Sequence, residues 1–81
     1  MDKSEVERRV NAVIRKVLKL PPGEIRPEAN FIFDLGADSM QSLQLVAAFE
    51  EEFGVELDQE AALAVQTVSS AVDFLQANLE K

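Results

Sequence analysis

The residues with the most chemical potential lie in one short run, Asp34-Leu35-Gly36-Ala37-Asp38-Ser39-Met40. Asp38, with Gln41 three residues later, reads as a capping box and puts Ser39 in the first turn of a helix. The start of a helix presents unpaired N–H groups and the positive end of its dipole, a setting that favours a phosphate. Gly36 permits a tight turn and leaves the approach to Ser39 open. The chain contains no histidine and no cysteine, and no lysine lies near Ser39 in sequence, so nothing local activates the hydroxyl. The fitting chemistry is passive: a serine esterified by another enzyme, not a serine hydrolase. On these residues alone, a plain first-turn serine fits at least as well.

The elements that must position Ser39 can be read from periodicity. Ser4-Glu5-Val6-Glu7 reads as a capping box opening a first helix. Val6, Val10, Val13, Ile14 and Val17 then form one apolar stripe. Arg15, Lys16 and Lys19 complement the dipole at its end, and Pro21-Pro22-Gly23 is expected to stop it. From Lys19 to Ala37 no helical period is sustained, yet Ile25, Phe31, Ile32, Phe33 and Leu35 are too apolar for a free linker. The reading is a long packed loop anchored by Phe31 and Leu35. The second helix runs from Asp38 to about Phe53 and ends at Gly54. Its inward residues are expected to be Leu43, Val46, Ala47, Phe49 and Phe53. A short helical turn follows around Asp58–Ala64. Thr67 caps a last helix carrying Val68, Ala71, Val72, Leu75 and Leu79 on one face. The predicted fold is all-α, three main helices plus a short one, forming one domain over residues 1–81.

Composition narrows the function. The chain has 81 residues, too few for a deep catalytic cleft. Without cysteine there is no disulfide and no thiolate metal site. An EF-hand counted from Asp34 puts Ser39 at position 6 and Leu45 at position 12, where glycine and glutamate are needed, so that match fails. No apolar run approaches the roughly 18 residues of a membrane span. Met1-Asp2-Lys3-Ser4-Glu5 lacks the apolar segment of a signal peptide, so a cytoplasmic location is expected. The net charge is −7, and it is unevenly spread: residues 27–80 hold eleven acids and no Lys or Arg. Nucleic-acid phosphate is repelled by such a surface, whereas a basic protein partner is drawn to it.

The run Phe31 to Met40 closely resembles the modification site of acyl carrier proteins, where a leucine-glycine and a small residue precede aspartate-serine-leucine. The resemblance continues through Leu45-Val46 and Phe49-Glu50-Glu51-Glu52-Phe53-Gly54 to Val55-Glu56-Leu57, and resumes at Thr67-Val68 and Asp73-Phe74-Leu75. It covers nearly the whole chain. It implies that a phosphopantetheinyl transferase moves 4'-phosphopantetheine from coenzyme A to Ser39, and that the arm's thiol then carries acyl groups as thioesters. The protein would be a monomeric carrier, not an enzyme. Acyltransferases, synthases or ligases would dock through basic patches on Asp38, Met40, Glu50, Glu51 and Glu52. Spacing assigns Leu43, Val46, Phe49, Leu63, Val68 and Val72 to the core; the resemblance makes some of them candidate walls of a shelter for the acyl chain.

Four positions depart from the family pattern. Met40 stands where leucine is usual, a change between flexible apolar side chains that should leave modification intact. Gln41, Gln44 and Phe33 occupy positions commonly acidic in fatty-acid carriers. Their loss of charge beside Ser39 suggests a specialised carrier serving a dedicated enzyme. A peptidyl or polyketide carrier, or an acidic helical interaction domain that is never modified, are the alternatives.

Overall fold

The computed structural model describes residues 2–20 and 25–80. Its helices are α1 (Lys3–Leu18), α2 (Ser39–Phe53), α3 (Gln59–Leu63) and α4 (Val68–Leu79). Among the described residues the chain adopts the expected all-α arrangement of three main helices and one short one.

α1 begins earlier than its sequence suggests. Asp2 is the N-cap, and its carboxylate accepts the Ser4 N–H at 3.3 Å. Ser4 thus lies inside the helix, and the capping box expected at Ser4 and Glu7 does not form. An aspartate two residues before a free N–H satisfies it as well as a serine would. At the other end, Lys19 turns into the left-handed region at φ 56°. The helix is finished by then; Pro21-Pro22-Gly23, expected to stop it, lies outside the described residues.

The core gathers the stripes of three helices. Val6, Val10 and Ile14 of α1 and Leu75 of α4 are almost fully buried. Removing each such side chain from water contributes about 1.5–3 kcal/mol. Leu45 and Phe49 of α2 and Val68, Ala71 and Val72 of α4 complete the cluster. The stripe expected on α4 is borne out. On α2 the inward face is rotated: Leu45 is 4% exposed, whereas Leu43 is 42% exposed and Ala47 is open to solvent. At 3.6 residues per turn, Leu43 sits roughly 100° from the centre of the buried stripe made by Leu45, Val46, Phe49 and Phe53.

The long connection before α2 is packed, as expected. Ile25, Ala29, Phe31 and Ala37 are buried, and Leu35 packs against the same core. Backbone bonds stitch this segment to the start of α4: Phe31 N–H donates to Gln66 O at 3.0 Å, Val68 N–H to Ala29 O at 3.1 Å and Ser69 N–H to Pro27 O at 2.8 Å. They form an isolated bridge between Asn30 and Thr67. The chain entering α2 is thereby held against α4. Among the described residues no helix is long and apolar enough to cross a membrane.

Candidate functional site

The start of α2 is built as its sequence implies. Asp38 Oδ1 accepts the Gln41 N–H at 2.8 Å, and Gln41 Oε1 accepts the Asp38 N–H at 3.2 Å. Both halves of the capping box are present. Gln41 is therefore explained by local structure, since a glutamine closes this box as a glutamate would. Ser39 is the first helical residue and is exposed. Its own N–H and that of Met40 belong to the first turn, where no intrahelical acceptor exists.

The approach to this turn is shaped by the preceding loop. Asn30 Oδ1 accepts the N–H groups of Ile32 and Phe33 at 2.9 and 3.0 Å, and Asp34 Oδ2 accepts the Asn30 N–H at 2.7 Å. Asn30 O in turn accepts from Asp34 and Leu35. Gly36 follows at φ 76°, a conformation that a residue with a Cβ adopts only with strain. A Cβ built there would meet nothing within 4 Å, so the glycine serves the turn and not a close contact. Ala37 then plugs into the core at 3% exposure and points the chain into Asp38.

The six residues singled out from sequence fall into two groups at opposite ends of α2. Asp38, Ser39 and Met40 share the first turn, while Glu50, Glu51 and Glu52 lie in the last, roughly 18 Å away at 1.5 Å per residue. The glutamates also differ from one another. Glu50 is half-buried, and its Oε2 accepts the Leu57 N–H at 2.8 Å. Glu52 pairs with Arg9 of α1 at 3.6 Å. Glu51 stands exposed. On one face of α2, residues Met40, Leu43, Gln44, Ala47 and Glu51 recur at helical spacing, and all are exposed.

Beside Ser39 the helices leave an apolar cavity of about 150 Å3. Its walls include Phe31, Leu45, Val46, Phe49, Leu63 and Leu75. Ser42, one turn beyond Ser39, and the loop residues Ile32 and Phe33 also line it. Asn30, Ser42 and Gln66 add polar edges to a lining that is otherwise apolar and suits a hydrocarbon. Of the wall candidates named from sequence, Val46, Phe49 and Leu63 line it; Leu43, Val68 and Val72 do not. Leu45, Leu57 and Phe74 line it without having been named as walls. The 3.6-residue period of α2 could have offered Leu45, but Leu57 lies on a loop that carries no period.

Can this turn accept a phosphodiester? Ser39 Oγ is exposed at a helix N-terminus, and the Asp38 carboxylate is turned to the Gln41 N–H as its cap. The neighbouring hydroxyl of Ser42 is instead half-buried and donates to Asp38 O at 3.0 Å. The residues present fit a phosphate ester on Ser39 and not on Ser42.

Three comparisons bear on this turn. A family model described as a phosphopantetheine attachment site matches residues 8–75. Acyl carrier protein 2, mitochondrial, of Arabidopsis thaliana is 45% identical over 75 residues, covering 93% of this chain and 60% of that protein. The chain thus spans less than two thirds of the length of this curated relative. A solved structure of a provisionally assigned acyl carrier protein from Mycobacterium tuberculosis shares 28% identity at a TM-score of 0.82, over 89% of this chain and 96% of that one.

Proposed function

The chain belongs to the family defined by a phosphopantetheine attachment site and is a homologue of acyl carrier proteins; from this we propose that it carries acyl groups on an arm esterified to Ser39. The observation that carries the residue assignment is the exposed hydroxyl of Ser39 at the capped start of α2.

When attached, 4'-phosphopantetheine supplies a thiol that holds the cargo as a thioester. The chain's own residues do the positioning. Asp38 and Gln41 lock the first turn, so the backbone that carries Ser39 is held at a fixed place. The first-turn N–H groups and the helix dipole favour the phosphodiester charge there. The chain has no histidine to take the serine proton, so the base belongs to the phosphopantetheinyl transferase. The protein is accordingly a substrate of other enzymes and acts as a monomeric carrier over residues 1–81. Partners are the transferase and the acyltransferases, synthases or ligases that use the loaded arm.

The cavity one turn from Ser39 supports an aliphatic cargo, because its walls are mostly apolar, with Asn30, Ser42 and Gln66 the polar ones, and carry no charged side chain. Fatty-acyl or related lipid intermediates fit this better than peptidyl groups, whose amides would lose hydrogen bonds there. A cytoplasmic location is part of the same proposal; the Arabidopsis relative is named mitochondrial, and cell fractionation distinguishes the two. The experiment for the carrier function is intact mass after incubation with coenzyme A and a broad-specificity transferase. One phosphopantetheine should be added. A chain that stays unmodified with every competent transferase would be an interaction domain and not a carrier.

A further inference from the structure

The cavity described above has a buried end and an open end. Its inner walls belong to the core: Phe31, Leu45, Phe49 and Leu75 are all buried. Its outer walls stand in solvent: Ile32 at 57% exposure, Phe33 at 88% and Leu63 at 44%. The cavity therefore meets solvent between the loop before α2 and the last residue of α3, and a chain entering it passes these three side chains. The backbone holds Phe33 at this mouth. Its N–H and that of Ile32 donate to Asn30 Oδ1, and Asp34 Oδ2 accepts the Asn30 N–H. An apolar contact there has little ordering cost in the loop. Phe33 also stands where fatty-acid carriers commonly have an acid, a side chain that resists burial against hydrocarbon.

We propose that Phe33 sets the length of acyl chain this carrier retains: methylenes for which the cavity has no room lie on its ring, between Ile32 and Leu63. The inference rests on the carrier reading and deepens it. Volume supplies the argument. The cavity measures about 150 Å3, and a protein cavity of about that volume admits a guest of roughly six carbons. A close-packed core does not stretch freely to take more. An acyl chain entering tail first fills this space with its terminal carbons and leaves the carbons next to the thioester at the mouth. A butyryl or hexanoyl group has little left over. An octanoyl or decanoyl group has methylenes outside the cavity, and these gain only if apolar surface covers them. Phe33 is the most exposed apolar wall the cavity has. It extends the site outward, so the preferred cargo is longer than the cavity alone would hold.

The test loads the full chain from butyryl-, hexanoyl-, octanoyl- and decanoyl-coenzyme A with a broad-specificity transferase, to completion by intact mass. The readout is the rate at which hydroxylamine cleaves the thioester at neutral pH. In the wild type this rate should fall at each step up to decanoyl, because each added methylene leaves water. In Phe33→Ser and Phe33→Glu it should follow the wild type through hexanoyl and then level off. Their decanoyl forms should be cleaved about tenfold faster than the wild type, as for roughly two methylenes returned to water. Phe33→Leu, which keeps an apolar side chain, should recover most of the retention. Phe33 lies outside the core cluster, so the unloaded variants should melt with the wild type. Equal length profiles in wild type and variants, or a loss already complete at butyryl, overturns the role of Phe33 and leaves the carrier function standing. So does a wild-type rate indifferent to chain length. Failure of the wild type to accept the arm overturns both.

Discussion

Glu50 reaches beyond the end of its own helix to Leu57, whose backbone N–H donates to Glu50 Oε2 at 2.8 Å. This bond ties the turn at Gly54 and the segment after it to α2, next to Asp58, the N-cap of α3. A residue that sequence placed among docking acids thus holds the fold. Glu50→Ala should lower stability by about 1.5–3 kcal/mol, the range for a hydrogen bond to a charged group. Glu51→Ala, on the open face, should change it by no more than about 0.5 kcal/mol. Thermal unfolding followed by circular dichroism separates them; equal melting temperatures would show that the Glu50–Leu57 bond contributes nothing.

Asp38 links the fold to the site. Asp38→Ala removes the acceptor for the Gln41 N–H and should cost about 1–2 kcal/mol. The first turn of α2 would fray, taking Ser39 with it. Amide exchange at Gln41 should quicken and transferase turnover should fall. Asp38→Asn, which keeps the cap, should restore most of both. Loss of turnover in Asp38→Ala without faster exchange would mean that Asp38 acts on the transferase directly.

The core prediction contrasts two leucines. Leu75 is 1% exposed and Leu43 is 42% exposed. Leu75→Ala should cost about 2–5 kcal/mol, a large part of the roughly 4–12 kcal/mol available to a chain of this size. Leu43→Ala should cost less than about 1 kcal/mol. Chemical denaturation checks both, and a comparable loss in the two variants would reverse the rotation described for α2.

Charge should limit stability at low ionic strength. The chain carries −7, and its eleven acids between residues 27 and 80 face no Lys or Arg within that span. Added salt or magnesium should therefore raise the melting temperature at neutral pH. A melting temperature that ignores both would show that Arg9–Glu52 and Lys3–Asp73 already offset the repulsion.

Much of this was legible before any coordinates. Asp38 and Gln41, Gly54 and Thr67 carry local signals, and each ends or begins a helix where those signals lie. The stripe of α4 was equally plain because polar residues flank it. α2 was harder: Met40, Leu43, Leu45, Val46, Ala47, Ala48 and Phe49 put apolar side chains nearly all round the helix, so periodicity alone could not phase it. The start of α1 was missed because Asp2 and Ser4 are both good caps and only the backbone path chooses between them. The structural role of Glu50 was hidden for a different reason. Its partner, Leu57, is seven residues on, and only the turn at Gly54 brings the two together.

The central claim concerns a single hydroxyl, and peptide mapping of the loaded protein tests it most directly. Ser39 and Ser42 lie one turn apart, Ser39 exposed and Ser42 half-buried with its hydroxyl on Asp38 O. After loading with coenzyme A and transferase, fragmentation of the peptide spanning both should place the whole adduct on Ser39. Ser39→Ala should accept nothing and Ser42→Ala should load normally. An adduct on Ser42, or one that survives in Ser39→Ala, would contradict the assignment.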